Sequence, residues 1–218
     1  MAKIDFITQV HTSTKRDYLG RVNEADKAAC AEVARKWGKD YWDGERKYGY
    51  GGYTYDGRWK PVALKMIDRY GLKKGARVLD VGCGKGFLLH EFQELGMKVE
   101  GLDVSEYAIE TSKPEVRSFL KLGTATKLPY PDKSFDLVYS INTLHNLPNY
   151  ELSAALKEIE RVSGGAKHVT VESFRNEREK VNLLYWQLTC RSFYAPEEWE
   201  WFFKTAGYTG DHSFIYFE

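Results

Sequence analysis

The stretch VLDVGCGKGF sets Asp80, Gly82, Gly84 and Gly86 at alternate positions. Glycine has no side chain and accepts positive φ, so a turn of this kind lets a ligand approach bare main chain. A carboxylate at its start can accept from an ammonium or a hydroxyl. The spacing argues against two nucleotide chemistries. A dinucleotide turn, G-x-G-x-x-G, needs its third glycine where the chain has Phe87, and no G-x-x-x-x-G-K-[ST] phosphate loop is present. Asp103 closes the next apolar segment, MKVEGLD, and supplies a second acid. His145, in SINTLHNLPNY, is a candidate base, because an imidazole with a pKa of about 6.5 accepts protons at neutral pH.

These residues need elements to hold them apart and aim them. ARVLDVG, MKVEGLD, Leu120 to Leu122, FDLVYSIN and KHVTVESF read as strands. FLLHEFQEL, Glu106 to Glu110 and ELSAALKEIERV read as the helices between them. A polar helical excursion follows Ser173 to about Cys190, then a helix in APEEWEWFFKTAGY and a last strand in SFIYF. Strand and helix in alternation imply an α/β doubly wound sheet, with ligands at the carboxyl ends of its strands. Residues 1–60 read as an N-terminal segment, with one helix from about Glu24 to Trp42 and then a glycine-aromatic stretch, YGYGGYTYDGRW. Residues 61–218 read as the ligand-binding domain, opened by Pro61 and a short helix that Gly71 stops.

Composition removes several classes of function. The chain has 218 residues, 32 Lys+Arg against 31 Asp+Glu, and no basic arm, so no nucleic-acid partner is expected. No run of about 18 apolar residues exists for a membrane span, and a cytoplasmic small-molecule protein is expected. Cys30, Cys83 and Cys190 are far apart, without metal-type spacing, and should be free thiols. Glu172 and Asn142 could face one divalent ion, but carboxylates are too few there, and no metal is expected.

Asp-x-Gly-x-Gly-x-Gly after the first strand, with an acid ending the second, resembles the class I S-adenosylmethionine-dependent methyltransferases. The resemblance runs from about Lys73 to Ser173 and resumes at APEEWEWFFKTAGY. It implies a Rossmann-like, mostly parallel sheet with an antiparallel carboxyl-terminal strand. It implies S-adenosylmethionine as cofactor, with Gly82, Cys83 and Gly84 along its methionine half, Gly86 also in the cofactor-binding turn, and Asp80 supporting the amino group. Asp103 maps to the acceptor of the ribose hydroxyls, with Val104 beside it. Ser140 and Asn142, at the end of the fourth strand, map beside the cofactor. The family's adenine-binding aspartate falls at Thr124 here, so that either the backbone of Ala125 does most of the holding of adenine or adenine is oriented differently. By the same resemblance the aromatic stretch occupies the place of a lid. There Tyr53 can face the sulfonium, and Arg58 can pair with the cofactor's carboxylate. Alternatively, its tyrosines simply cover apolar surface.

DYWDGERKYGYGGYTYDGRWKPVA further resembles a subset of bacterial methyltransferases encoded near surface-polysaccharide genes. That likeness implies a sugar, nucleotide-sugar or similar polar acceptor, methylated on oxygen or nitrogen. Arg175, Arg178 and Arg191 in the excursion could bind its phosphate or carboxylate, or form a solvated face. A non-catalytic binding or scaffold protein of the same fold is the competing reading.

Overall fold

A computed structural model describes all residues, 1–218. Its single sheet contains β1 (Arg77–Val81), β2 (Lys98–Asp103), β3 (Leu120–Leu122), β4 (Phe135–Ile141), β5 (Ser163–Glu172) and β6 (Asp211–Ile215), in the order β3-β2-β1-β4-β5-β6. All neighbours run parallel. The order reverses between β1 and β4, so a crevice opens at the carboxyl ends of these two strands.

Four short helices open the chain: α1 (Thr8–Thr12), α2 (Tyr18–Asn23), α3 (Lys27–Ala34) and α4 (Lys39–Asp43). Then come α5 (Lys60–Tyr70), α6 (Phe87–Glu94), α7 (Glu106–Glu110), α8 (Pro114–Arg117), α9 (Asn149–Val162), α10 (Glu177–Trp186) and α11 (Pro196–Ala206). Asp26 caps α3 by accepting from two backbone N–H groups. Gly71, at φ 60°, and Gly207, at φ 79°, end α5 and α11 in the left-handed conformation.

Both faces of the sheet are covered, which is why its strands read as nearly continuous apolar runs. One face packs Val138, Leu156, Trp199 and Phe203 together, and the other packs Val78, Leu137, Leu89 and Met66. Each such side chain, fully buried, contributes about 1.5–3 kcal/mol. The N-terminal segment is not a separate body, since Phe6 and Ile7 share the second core with Phe217.

Two expectations are corrected. The last strand is parallel, not antiparallel: α10 and α11 lie between β5 and β6, and a helical crossover returns the chain in the same direction. No further strand follows. Instead, Lys3 bridges to His212, with Ile4 N donating to His212 O at 2.8 Å, so the chain's own beginning covers the edge of β6. The predicted single helix over 24–42 is broken at Trp37, whose φ is 53°, and resumes as α4.

Candidate active site

Five residues join β1 to α6. Gly82 N and Cys83 N both donate to Leu102 O, at 2.7 and 3.1 Å, and this fastens the turn to β2. Gly82 and Gly84 have φ of 88° and 52°, where a side chain is strained. A Cβ on Gly82 would lie 2.2 Å from the Thr143 side chain, and one on Gly84 would lie 2.7 Å from the Trp42 ring. The protein's own side chains therefore use part of the bare main chain, and a cavity of about 390 Å³ opens beside it, lined by Gly82, Cys83 and Gly84.

Two carboxyls face this cavity. Asp103 accepts from Gly84 N at 2.7 Å and from Ser105 N at 2.8 Å. Burial raises its pKa, and these N–H groups oppose the rise. Asp80 is pushed well above the ordinary carboxylate range by burial, with the charge of Asp103 adding to the effect. Two acids that are hard to ionise side by side favour a ligand that brings positive charge or O–H and N–H donors.

The wall over the cavity is aromatic. Trp42 donates from Nε1 to Ser105 Oγ at 2.8 Å and stacks on Tyr50, with centroids 5.3 Å apart at 11°. Tyr50 meets Tyr53 at 4.5 Å, and Tyr53 stacks on Phe87 at 4.9 Å. Asp43 ties this wall to the turn, accepting from Lys85 Nζ at 2.6 Å, Tyr107 Oη at 2.9 Å and Tyr53 N at 3.1 Å. Burial works against its charge, but the Lys85 hydrogen bond, foremost among these three contacts, holds its pKa below the usual range.

A second cavity of about 450 Å³ adjoins the first, and Tyr41, Tyr50, Tyr53, Trp59, Asn142 and Asn146 line both. Asn142 ends β4 in the left-handed region, at φ 58°, an outlier of the kind that collects at functional sites. Its Oδ1 is buried without a partner, as are Asn146 Oδ1 and Glu172 Oε2. Glu172, at the end of β5, accepts from Gln187 Nε2. Burial lifts its pKa to about 8 and drives that of His145 down to about 3. Their contact, Nε2 to Oε2 at 3.4 Å, therefore joins a neutral imidazole to a protonated carboxyl rather than two ions. His145 Nδ1 faces the Glu172 N–H at 3.4 Å, which leaves the proton on Nε2.

The expected site residues divide into three groups. Tyr53, Asp80, Gly82, Cys83, Gly84, Asp103, Val104, Thr124, Ala125 and Asn142 all line the first cavity. Gly86, Ser140, Arg58 and His145 do not. A Cβ on Gly86 would press on Val116 at 3.0 Å, so this glycine serves packing against α8. Ser140 is fully buried and donates to Val81 O at 2.7 Å, bracing two strands. Arg58 is bound to Asp56, with Nε to Oδ2 at 2.7 Å, and lines the second cavity. His145 is also on the second cavity. The Thr124 hydroxyl is engaged with Thr126 Oγ1 at 3.0 Å. Of the excursion's arginines, Arg175 pairs with Glu179 and Glu218, and Arg191 reaches the first cavity.

Trp37, Tyr41 and Trp42 as cavity walls escape a reading of 24–42 as one continuous helix, which the break at Trp37 divides. The available signal was Gly38, a poor residue for a helix interior. Gln187 carried no signal, since only folding brings it to Glu172.

A doubly wound parallel sheet with its ligand crevice beside a glycine turn and an acid on β2 is the architecture of class I methyltransferases. Residues 79–166 match the family model described as a methyltransferase domain. A demethylmenaquinone methyltransferase of Tropheryma whipplei is 29% identical over 136 residues, covering 61% of this chain and 55% of the relative. The cycloartenol-C-24-methyltransferase of Arabidopsis thaliana is 31% identical over 180 residues, 73% of this chain and 52% of the relative. The 27-O-demethylrifamycin SV methyltransferase of Amycolatopsis mediterranei is 30% identical over 125 residues, 52% and 44% respectively. The chain thus spans about half the length of these relatives. In fold it is similar to a methyltransferase structure from Bacillus halodurans, with TM-score 0.55 and 22% identity over 66% of this chain and 68% of that one. Residues 79–166 thus carry a methyltransferase domain, in a fold similar to that of solved methyltransferases, and the methyl donor of such domains is S-adenosylmethionine.

Proposed function

We propose that the protein transfers the methyl group of S-adenosylmethionine to an oxygen or nitrogen of a small polar acceptor. One observation carries this reading: the two cavities are contiguous, and the first presents two carboxyls while the second presents unpartnered acceptor atoms. S-adenosylmethionine carries an ammonium and two ribose hydroxyls, which carboxyls match, and a sulfonium, which ring faces attract. Asp103 would hold the ribose, Asp80 the ammonium, and the Gly82–Gly84 main chain would lie along the methionine half. The rings of Trp42, Tyr50 and Tyr53 would face the sulfonium, an attraction of roughly 0.5–2 kcal/mol.

The donor is already activated, so this chain's tasks are to position the acceptor in line and to exclude water. An acceptor hydroxyl must also lose its proton. We assign that role to Glu172 rather than His145, because its ionised fraction, which grows as pH rises toward 8, is a far stronger base than an imidazole with a pKa near 3. His145 then orients Glu172 from the side. The three unpartnered oxygens at the junction suit an acceptor with several O–H or N–H donors. They support a sugar or nucleotide-sugar, the class that the aromatic stretch suggests.

Calorimetry with S-adenosylhomocysteine, followed by a methyl-release assay over sugar, nucleotide-sugar, quinone and sterol acceptors, tests the proposal. Binding together with turnover on a polar acceptor is the expected result. Binding without turnover on any acceptor would favour the scaffold reading, and turnover confined to quinones or sterols would overturn the acceptor class.

A further inference from the structure

The outer end of the second cavity carries positive charge that nothing in the chain neutralises. Arg16, Arg21 and Arg46 converge on the Trp186 ring, with guanidinium carbons 5.3, 4.6 and 5.0 Å from its centroid. They come from three places: the segment before α2, α2 itself and the turn after α4. Their donors go to main-chain carbonyls and, from Arg16 Nη2, to His11 Nδ1 at 3.1 Å. Arg16 Nη1 reaches His11 O and Thr14 O, both at 3.0 Å, Arg21 Nε reaches Trp186 O at 2.8 Å, and Arg46 Nη1 reaches Tyr50 O at 2.7 Å. None forms an ion pair with a carboxylate, and Arg16 Nε is buried with no partner at all. Lys15 lines the same cavity, whose one acid, Glu172, lies at the inner end and is held protonated by burial.

Guanidiniums fixed by carbonyls and a ring face are pre-organised, and they keep spare N–H groups for a planar or tetrahedral oxyanion. Three like charges gathered without a counter-ion repel one another, and a bound anion relieves that repulsion. The set carries more charge than a single carboxylate can neutralise.

We propose that this cluster binds a phosphate or diphosphate group of the methyl acceptor, so that the acceptor spans the cavity from Trp186 to Glu172. The assignment rests on the methyl-transfer reading only in taking this cavity as the acceptor's.

Titration of the full chain with inorganic pyrophosphate, with and without S-adenosylhomocysteine, tests it. Pyrophosphate should bind once per chain, about tenfold or more tighter than malonate, without displacing S-adenosylhomocysteine. Its affinity should fall as salt rises. Lys15→Gln and Arg46→Gln should each weaken it by about three- to tenfold, with S-adenosylhomocysteine affinity unchanged. Arg46→Gln could loosen its turn, so Lys15→Gln, at an exposed side chain that forms no hydrogen bond or ion pair, serves as the second variant, and both are checked by melting temperature. If S-adenosylhomocysteine binds but pyrophosphate does not, if malonate binds as tightly, or if pyrophosphate competes with S-adenosylhomocysteine, the assignment is overturned. If pyrophosphate binds but S-adenosylhomocysteine does not, the anion site stands and the methyl-transfer reading falls.

Discussion

The two cavities share a wall of aromatic rings, yet their charges are opposite. The first holds Asp80 and Asp103 beside the glycine turn, with Glu151, Arg35 and Arg191 elsewhere in its lining, and the second holds Arg16, Arg21 and Arg46, with Glu172 as its one acid. Burial makes both arrangements unfavourable alone, since each disfavours the charged form of its own groups. Such pairs of unfavourable clusters are resolved by ligands, a cationic one in the first cavity and an anionic one in the second. Asn142 and Asn146 line both cavities, and Glu172 lines the second; Asn142 Oδ1, Asn146 Oδ1 and Glu172 Oε2 are buried without a hydrogen-bond partner. On the proposed function, methyl transfer would take place at this boundary, where the two ligands would meet.

Substitutions can break this contrast at different points. Glu172→Gln removes the proposed base and should lower turnover on a hydroxyl acceptor by about 10²–10⁴-fold, with cofactor affinity unchanged. Because Glu172 has a folded-state pKa near 8, well above that of a free carboxyl, kcat/KM should rise with pH up to about 8, and this rise should vanish in the variant. Stability supplies the matching sign. The native chain retains a proton that the unfolded chain has lost above its own pKa, so this contribution is complete below the unfolded value and disappears as pH rises through 8. Melting curves between pH 5 and pH 9 should therefore show Glu172→Gln gaining on the parent protein.

Asp103→Ala acts on the opposite cavity. It removes the acceptor of two backbone N–H groups and the proposed ribose contact, and calorimetry should show S-adenosylhomocysteine affinity falling by about 10–100-fold. Pyrophosphate binding should be spared. Trp42→Ala strips the shared wall, and denaturant unfolding should register a loss of about 3–5 kcal/mol. The smallest effect is expected from Asp43→Asn, which loosens Tyr53 from Lys85 and should weaken cofactor binding by about two- to fivefold. Its carboxyl has a lowered pKa, so the tie is present above the unfolded value and is lost as pH falls through the folded one.

Local pattern carried most of the fold. The helix at Glu106–Glu110 and the strand at Leu120–Leu122 have the bounds that their residues suggest, and the caps at Gly71 and Gly207 follow from glycine's freedom at positive φ. The direction of β6 was not legible in its own residues, because it is set by the crossover through α10 and α11. The acidic cavity was legible because the turn and the end of β2 are adjacent elements of one motif. The basic cavity was not. Arg16, Arg21, Arg46 and Trp186 are separated by helices whose packing no periodicity reveals, while the excursion's Arg175, which looked like a ligand for anions, is satisfied by Glu179 and Glu218.

The most direct test is a crystal structure with S-adenosylhomocysteine. It should show both ribose hydroxyls on the Asp103 carboxylate, and the sulfur turned toward Asn142 and the second cavity. Density for the ligand among the arginines instead, or a first cavity that stays closed over Gly84 by Trp42, would contradict the account.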